Sequence, residues 1–374
     1  MAVSLWEQYR DQFPITKKLV YLNHASVAPL SRRAAEAMQG LAADALEYGS
    51  EHYARWLAAY EGVRNGAAKL LNAEAGEIAI IKNTSEGIAT IAMGIAWKPG
   101  DAVVIFEEEF PANLYPWKRL ADHGVEVRQL SIFDDLDQID QAAKGARLLA
   151  ISYVQYLSGY RVDLDAIGEI CRRRGCIFCV DAIQGMGAFP IDVRKSNIGA
   201  LSADGHKWLL GPEGCGVLFV ERSLQDQIEP AEFGWTNVAR YADYASRDMT
   251  LRSDAGRYEC GTLNTIGCFG LEAAFELLLE IGVDRISKAV QALGDQVWHG
   301  ARELGYETLG RRPAGGGAGI VSIRKPGVES PFIVRKLRDA GFTTAPRQGW
   351  VRIAPHFYIS PDDIDALLRI LRTF

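Results

Sequence analysis

The chain has 374 residues, with 41 Lys+Arg against 47 Asp+Glu for a formal net charge of −6; 48% of it is hydrophobic and 24% charged. These proportions belong to a globular protein with room for more than one domain at roughly 150 residues each, and they exclude disordered, collagen-like and disulfide-scaffold classes. The mixed charge lacks the clustered basic face that nucleic acid requires, and no run of 18 apolar residues offers a membrane span.

The opening decapeptide, Met1 to Arg10, carries early charges and no apolar h-region. No signal peptide is expected, and the cytoplasm is the expected location. Strands and helices then alternate. Ile78-Ala79-Ile80-Ile81 reads as a strand, followed by a helical stretch from Ser85 to about Trp97. A strand over Ala102–Phe106 precedes a helix around Asn113–His123. Val125–Ser131 is a strand, Asp135–Ala143 a helix, and Arg147–Ser152 a strand. A helix over Leu164–Arg174 leads into a strand ending at Asp181, and Gly216–Val220 adds to the sheet. Apolar runs of this length joined by amphipathic helices predict an α/β fold with a mostly parallel sheet covered on both faces. Helix-rich sequence begins near Leu271. The tail reads as a strand (Gly319–Arg324), a helix (Pro331–Ala340), a short strand (Val351–Ala354) and a helix (Pro361–Thr373). That pattern predicts a small α+β domain.

The six cysteines lie between 171 and 268. Cys176 and Cys179 form a CxxC within an apparent buried strand, where residues three apart face opposite sides and cannot share a metal. Reduced core cysteines are expected, and no metal site. Gly315-Gly316-Gly317-Ala318-Gly319 lacks the strand and helix that flank a phosphate loop and reads as a mobile connection.

In an open α/β sheet the ligand crevice lies beyond the carboxyl ends of the strands, and four polar groups fall there. Asn83-Thr84-Ser85-Glu86-Gly87 offers hydroxyls and free N–H groups at a helix start, which can hold an anion or simply cap the helix. Asp181, with Gln184 three residues on, is a carboxylate at a buried strand end; it needs a cationic partner, which a ring nitrogen or an ordinary ion pair would supply. Lys207 sits in Asp204-Gly205-His206-Lys207-Trp208-Leu209-Leu210-Gly211, where an apolar turn and a neighbouring imidazole would lower its pKa and make the amine nucleophilic enough for a Schiff base. Arg352, on a short apolar strand, must be paired, and its planar fork suits a carboxylate.

Asp181-x-x-Gln184, then His206-Lys207-Trp208, then Arg352 resembles the class V aminotransferases, fold-type I pyridoxal-phosphate enzymes that include cysteine desulfurases, C–S lyases, isopenicillin-N epimerase-like proteins and kynureninases. The resemblance runs from Tyr21-Leu22-Asn23-His24-Ala25 to Arg352-Ile353-Ala354-Pro355-His356-Phe357. It implies a large cofactor-binding domain over 21–270 with a seven-stranded type of sheet. A small domain over 271–374 and an N-terminal segment, 1–20, packed on the small domain would complete the chain. It further implies that Lys207 is the Schiff-base lysine and proton shuttle, that Asp181 holds the pyridinium protonated and that Gln184 binds the ring oxygen. Thr84, Ser85, His206 and Asp204 would surround the phosphate, and Thr262 would reach it from the partner subunit of a homodimer. Phe110 matches the residue that stacks on the ring. Arg352 would grip the substrate carboxylate, with Asn23, His24 and Tyr156 nearby.

Three features separate the chain from the desulfurases it resembles. Phe110 stands where they carry a His, and a phenyl ring can stack but cannot transfer protons. Ala340–Trp350 contains no cysteine to take up sulfur as a persulfide, and Tyr156 stands where they carry an Asn. The expected activity is that of a pyridoxal-phosphate enzyme acting on an amino acid, a transaminase, with C–S β-lysis or epimerisation as alternatives within the family. A nicotinamide-dependent dehydrogenase fits poorly, since Gly185-Met186-Gly187 is followed by Pro190 where a third glycine should stand. A catalytically silent scaffold is disfavoured by the joint presence of Lys207, Asp181 and Arg352.

Overall fold

Strand side chains that alternate between two apolar faces require cover on both sides, and the chain supplies it. In the computed structural model, which describes residues 4–313 and 317–374, a seven-stranded sheet separates two hydrophobic clusters. Ile78 and Ile80 point into one cluster and Ala79 and Ile81 into the other; Val104 and Val103 divide in the same way. Ahead of the sheet come two helices that the sequence reading did not anticipate, α1 (Arg32–Tyr48) and α2 (Tyr53–Leu71). Ser31 caps the first by accepting from the Ala34 N–H.

The large unit then runs β1 (Ile78–Ile81), α3 (Thr84–Gly94), β2 (Ala102–Phe106), β3 (Glu126–Leu130), α4 (Leu136–Ala143), β4 (Leu148–Ser152), α5 (Leu164–Arg174), β5 (Ile177–Asp181), β6 (Ala200–Asp204) and β7 (Gly216–Val220). The spatial order is β1-β7-β6-β5-β4-β2-β3. Only β7 runs against its neighbours, so the sheet is mostly parallel, as expected. Two predicted elements change. The helix over Asn113–His123 is broken into 3₁₀ turns around a short α-helix, Tyr115–Arg119, with Pro111 and Pro116 at starts. The turn that holds Lys207 begins only at Gly205, after strand β6 (Ala200–Asp204), which the sequence did not reveal.

Helix α6 (Thr265–Ile281) starts earlier than expected, with Asn264 as its cap, and packs along α1 and α2. A domain edge at residue 270 would cut this helix, so we move the edge past Ile281. Beyond it lie α7 (Val283–Glu303), β8 (Val321–Arg324), α8 (Ser330–Asp339), β9 (Ala345–Arg347), β10 (Trp350–Ile353) and α9 (Pro361–Leu371). Antiparallel β9, β10 and β8 form the small sheet together with Glu307–Thr308. The N-terminal segment is tied to this unit. Val20–Tyr21 pairs with Phe342–Thr343, Phe13 stacks on Tyr358, and Arg10 reaches Asp363 at 2.8 Å. Of the glycine-rich connection, Gly315 and Gly316 lie outside the described residues. Cys260 is partly exposed, a correction to the expectation that all six cysteines are buried. Among the described residues no helix is long and apolar enough to cross a membrane, and no cluster of His, Cys, Asp or Glu could hold a metal.

The fit between α5 and the β5–β6 connection is close enough to test. A Cβ at Gly168 would stand 1.8 Å from the Ser196 carbonyl oxygen. Alanine ordinarily favours a helix by about 1 kcal/mol over glycine, but a collision with fixed backbone forces the helix off its seat. Gly168→Ala should therefore destabilise the fold by about 1–3 kcal/mol, read from the denaturant midpoint; an increase in stability would show that the packing is looser than described.

Candidate active site

Five strand ends converge on one cleft of about 570 Å³. At the end of β1, Asn83 accepts from the Glu86 N–H, so α3 starts with its N-terminus at the cleft, and Thr84 and Ser85 line it. Thr84 is also locked to β6: its Oγ1 accepts from the Asp204 N–H at 3.0 Å, and its carbonyl accepts from Ser202 Oγ. Gly87 permits that approach, since a Cβ there would meet Ser202 Oγ at 2.3 Å. Free N–H groups at the helix start and two hydroxyls make an anion site.

At the end of β6 the chain turns through Gly205, His206 and Lys207. The Lys207 amine lies 5.8 Å from the centroid of the Phe110 ring. Burial lowers its pKa to about 8; Asp181 opposes the shift, and Arg352 and Arg347 reinforce it. Asp181, at the end of β5, is 2% exposed and accepts from the Ile183 N–H at 3.0 Å. Burial raises its pKa to about 6, with Lys207 pulling the other way. Gln184 is fixed at both ends of its amide, donating to the Ala25 carbonyl and accepting from Trp208 Nε1. It retains one amide hydrogen for a ligand.

On the opposite wall, Arg352 is 3% exposed and donates to the Tyr156 carbonyl at 2.8 Å and Ser26 Oγ at 2.7 Å, while its Nε finds no protein partner. Burial, with Arg347 second, lowers its pKa to about 10. The Tyr156 ring meets Phe110 edge-on at 5.3 Å, and its hydroxyl accepts from Gln348 Nε2.

The cleft thus brings together Thr84, Ser85, Phe110, Tyr156, Asp181, Gln184, Asp204, His206, Lys207 and Arg352. The remaining expected residues lie elsewhere. His24 is fully buried; its Nδ1 faces the Ala354 carbonyl at 2.7 Å and its Nε2 the Tyr358 hydroxyl at 2.6 Å. Burial lowers its pKa to about 4, so it is a neutral group joining the N-terminal segment to the small unit rather than a substrate contact. Asn23 stands one step back, accepting from Ser26 Oγ. Thr262 is exposed on a separate groove. Asp204 differs from its expected part. Its Oδ2 lies 2.9 Å from His206 Nδ1, bent away from a hydrogen-bond line, and its Oδ1 accepts from the Gly205 N–H. Asp204 thus braces the turn through the Gly205 N–H and lies against the imidazole without a hydrogen bond to it.

Several residues lining the cleft or backing its walls escaped the sequence reading. Ser26 joins Arg352 to Asn23, and Arg347 and Gln348 come from the turn between β9 and β10. Glu109 is the third member of an acidic triplet that gives no sign of burial, yet it is 5% exposed and bonded to Ser152 through both the backbone N–H and Oγ. Ser152 is the register partner of Asp181. The alternation of β2 and its end, continued to Glu109, is the signal that could have found it.

The family-level comparison agrees with this geometry. The aminotransferase class-V family model matches residues 20–358, and the chain belongs to that family. It is 30% identical to a probable cysteine desulfurase of Pyrococcus abyssi over 98% of this chain and 96% of the relative. It is also 30% identical to the uncharacterized aminotransferase YcbU of Bacillus subtilis, over 96% and 95%. The apo structure of a cysteine desulfurase from Thermococcus onnurineus NA1 superposes with a TM-score of 0.92 at 26% identity, covering 100% of this chain and 98% of that one.

Glu109 provides a pH test of the cleft floor. Burial raises its pKa from the ordinary 4.5 to about 8, Ser152 opposing and Asp181 reinforcing. As pH rises between these values the unfolded chain gives up this proton while the folded chain keeps it, so stability from this group is present below about 4.5 and lost through about 8. Glu109→Gln removes that slope, and its stability relative to the unaltered protein should climb steadily from pH 5 to 8 in denaturant titrations of cofactor-free protein. A flat difference would mean that Glu109 is ionised in the fold.

Proposed function

We propose that the protein is a pyridoxal-phosphate enzyme acting on an amino acid through Lys207, with amino transfer as its reaction. The observation that carries this reading is the buried, pKa-lowered amine of Lys207 sharing a cleft with a buried carboxylate, Asp181, whose counter-cation is otherwise missing. The residues fit the cofactor of their family. Asp181 offers a charge to a protonated ring nitrogen, Gln184 a spare amide hydrogen, Phe110 a ring face, and Thr84, Ser85 and His206 a site for the phosphate. When bound, pyridoxal phosphate supplies an electron sink for the bond broken at the substrate α-carbon.

The rest is the work of this chain. Desolvation keeps a neutral fraction of Lys207 available near neutral pH, as nucleophilic attack demands. The same amine, when free, would serve as the base that removes and returns a proton at that carbon. Phe110 cannot do so. Arg352, held by Ser26 and the Tyr156 carbonyl, presents its remaining donors to the substrate carboxylate and fixes which bond is aligned for cleavage.

C–S β-lysis is the second reading, favoured by the likeness to proteins named cysteine desulfurases. A persulfide relay is not part of it, because the β9–β10 connection is a two-residue turn, Gln348-Gly349, without cysteine. Six free cysteines, including Cys215 and Cys268 with sulfurs 3.8 Å apart, accord with a reducing cytoplasm. We further propose a homodimer. Trp235, Tyr244 and Met249 are exposed, and a groove of about 610 Å³ bordered by Tyr53, Leu57 and Trp235 carries Thr262, so a partner covering this apolar surface would receive Thr262 near its own cleft.

Purified protein given pyridoxal phosphate should develop a visible absorption band that Lys207→Ala lacks. Keto-acid exchange, pyruvate with sulfide, and loss of chirality, assayed separately on an amino-acid panel, distinguish transfer, lysis and epimerisation. Turnover in none of them would overturn the enzymatic reading. Because the amine must be neutral to condense, the rate of cofactor uptake should rise with pH through about 8 rather than through the ordinary lysine value of 10.5. Asp181→Asn, which removes the group that raises this pKa, should shift the profile to lower pH; a midpoint near 10.5 in the unaltered protein would contradict the burial argument.

A further inference from the structure

The cleft holds a second arginine that the α-carboxylate of an ordinary amino acid does not require. We propose that the protein selects amino acids with a second anionic group on the side chain, a carboxylate or a sulfur oxyacid, which Arg347 binds while Arg352 takes the α-carboxylate. This rests on the reading of the cleft as an amino-acid site.

Both guanidiniums belong to one hairpin. In β9 and β10, Arg347 pairs with Trp350 and Arg352 with Ala345, and the two-residue turn between them uses positive φ at Gln348 (47°) and Gly349 (83°). Such a turn has the twist of a tight hairpin and leaves little slack. Gln348 Nε2 donates to the Tyr156 hydroxyl and pins the turn to the cleft wall. Both arginines then converge on a single atom: Ser26 Oγ lies 2.7 Å from Arg352 Nη2 and 3.3 Å from Arg347 Nη2.

Their other protein bonds go to neutral carbonyls, those of Pro346 and Tyr156. Among the described residues neither guanidinium has a carboxylate within ion-pair distance. Two like charges are therefore held close with no counter-charge: burial lowers the pKa of Arg352 with Arg347 reinforcing it, and both arginines add to the burial that lowers that of Lys207. The acids that line the same cleft are committed elsewhere, Asp204 to His206 and Asp181 on the floor beside Lys207. One bound carboxylate brings a single negative charge against two positive ones and leaves half of the charge unbalanced. Burial divides the work. Arg352, enclosed and with a free Nε, is the stronger site, whereas the exposed Arg347 at the mouth can meet side chains reaching outward from the α-carbon. An exposed charge contributes modestly, so the expected gain is about tenfold in affinity rather than many orders.

The test compares succinate with propionate, which differ by one carboxylate, by calorimetry on the holoenzyme. The unaltered protein should bind succinate about tenfold more tightly. Arg347→Gln should remove that gap and leave propionate unchanged, Arg347→Lys should restore part of it, and Arg352→Gln should weaken both ligands. An absence of any gap in the unaltered protein would overturn the proposal. So would equal weakening of both ligands by Arg347→Gln, which would mean two arginines on one carboxylate, or reduced cofactor content in that variant, which would assign Arg347 to the phosphate. If the protein takes up no pyridoxal phosphate the reading of its function fails separately, and the succinate–propionate gap measured on the cofactor-free chain still decides this one.

Discussion

An amine and a carboxylate removed from water on the same cleft floor set the terms for the rest of the molecule. Left alone, burial drives both toward neutrality, Lys207 by losing a proton and Asp181 by keeping one, and their mutual attraction only partly restores the charges. A pair poised in this way is a poor contribution to stability. It is a useful arrangement for binding a flat cationic heterocycle that satisfies the carboxylate while the amine stays reactive. Glu109 sharpens the balance: with Ser152 it forms a second buried carboxyl next to Asp181, and two negative charges cannot easily coexist there.

Keeping water out of this region requires that backbones approach closely, and glycine makes it possible. Gly87 lets α3 settle on β6, so the anion-binding N–H groups point at the cleft. Gly187, at φ 89°, sits where a Cβ would be 2.5 Å from the Trp208 carbonyl, bringing the lysine turn against the segment after Asp181. Trp208 completes the contact by donating to Gln184. Lys207, Asp181 and Gln184 are therefore positioned as one packed unit. The small unit closes the opposite wall, and its connection to the N-terminal segment through His24, Ala354 and Tyr358 fixes the distance between Arg352 and the sheet.

Most of the alternation of the sheet was readable because its strands are apolar runs too short for helices, as a sheet covered on both faces requires. The chemistry at the strand ends was readable for a related reason: Asp181, Lys207 and Arg352 are charged groups in apolar surroundings. Strand β6 was obscured by its own function, since Ser202 and Asp204 place polar atoms inside a buried strand. Helices α1 and α2 were missed because the alternation begins only at Ile78, and α6 was entered late because its cap, Asn264, precedes the obvious apolar run. His24 misled the reading in the reverse direction: an imidazole beside site residues looks functional until both ring nitrogens are found bonded inside the core. Ser26, Glu109 and Arg347 had no local mark at all, because their importance comes from partners distant in sequence.

The β9–β10 hairpin bears on how far this chain can share the chemistry of a thiol-carrying loop. A loop that carries a thiol to a substrate must have length and freedom. Here the connection has two residues, both in the left-handed region, and is fastened to Tyr156, so it cannot swing across the cleft. What rigidity removes in reach it returns in precision, because a charged fork held by backbone and a neighbouring hydroxyl discriminates among ligands better than a mobile one. The residue facing the lysine follows the same logic. Phe110 offers a surface and no proton, so under the proposed function proton transfer falls to Lys207 and the choice of substrate to the arginine-bearing wall.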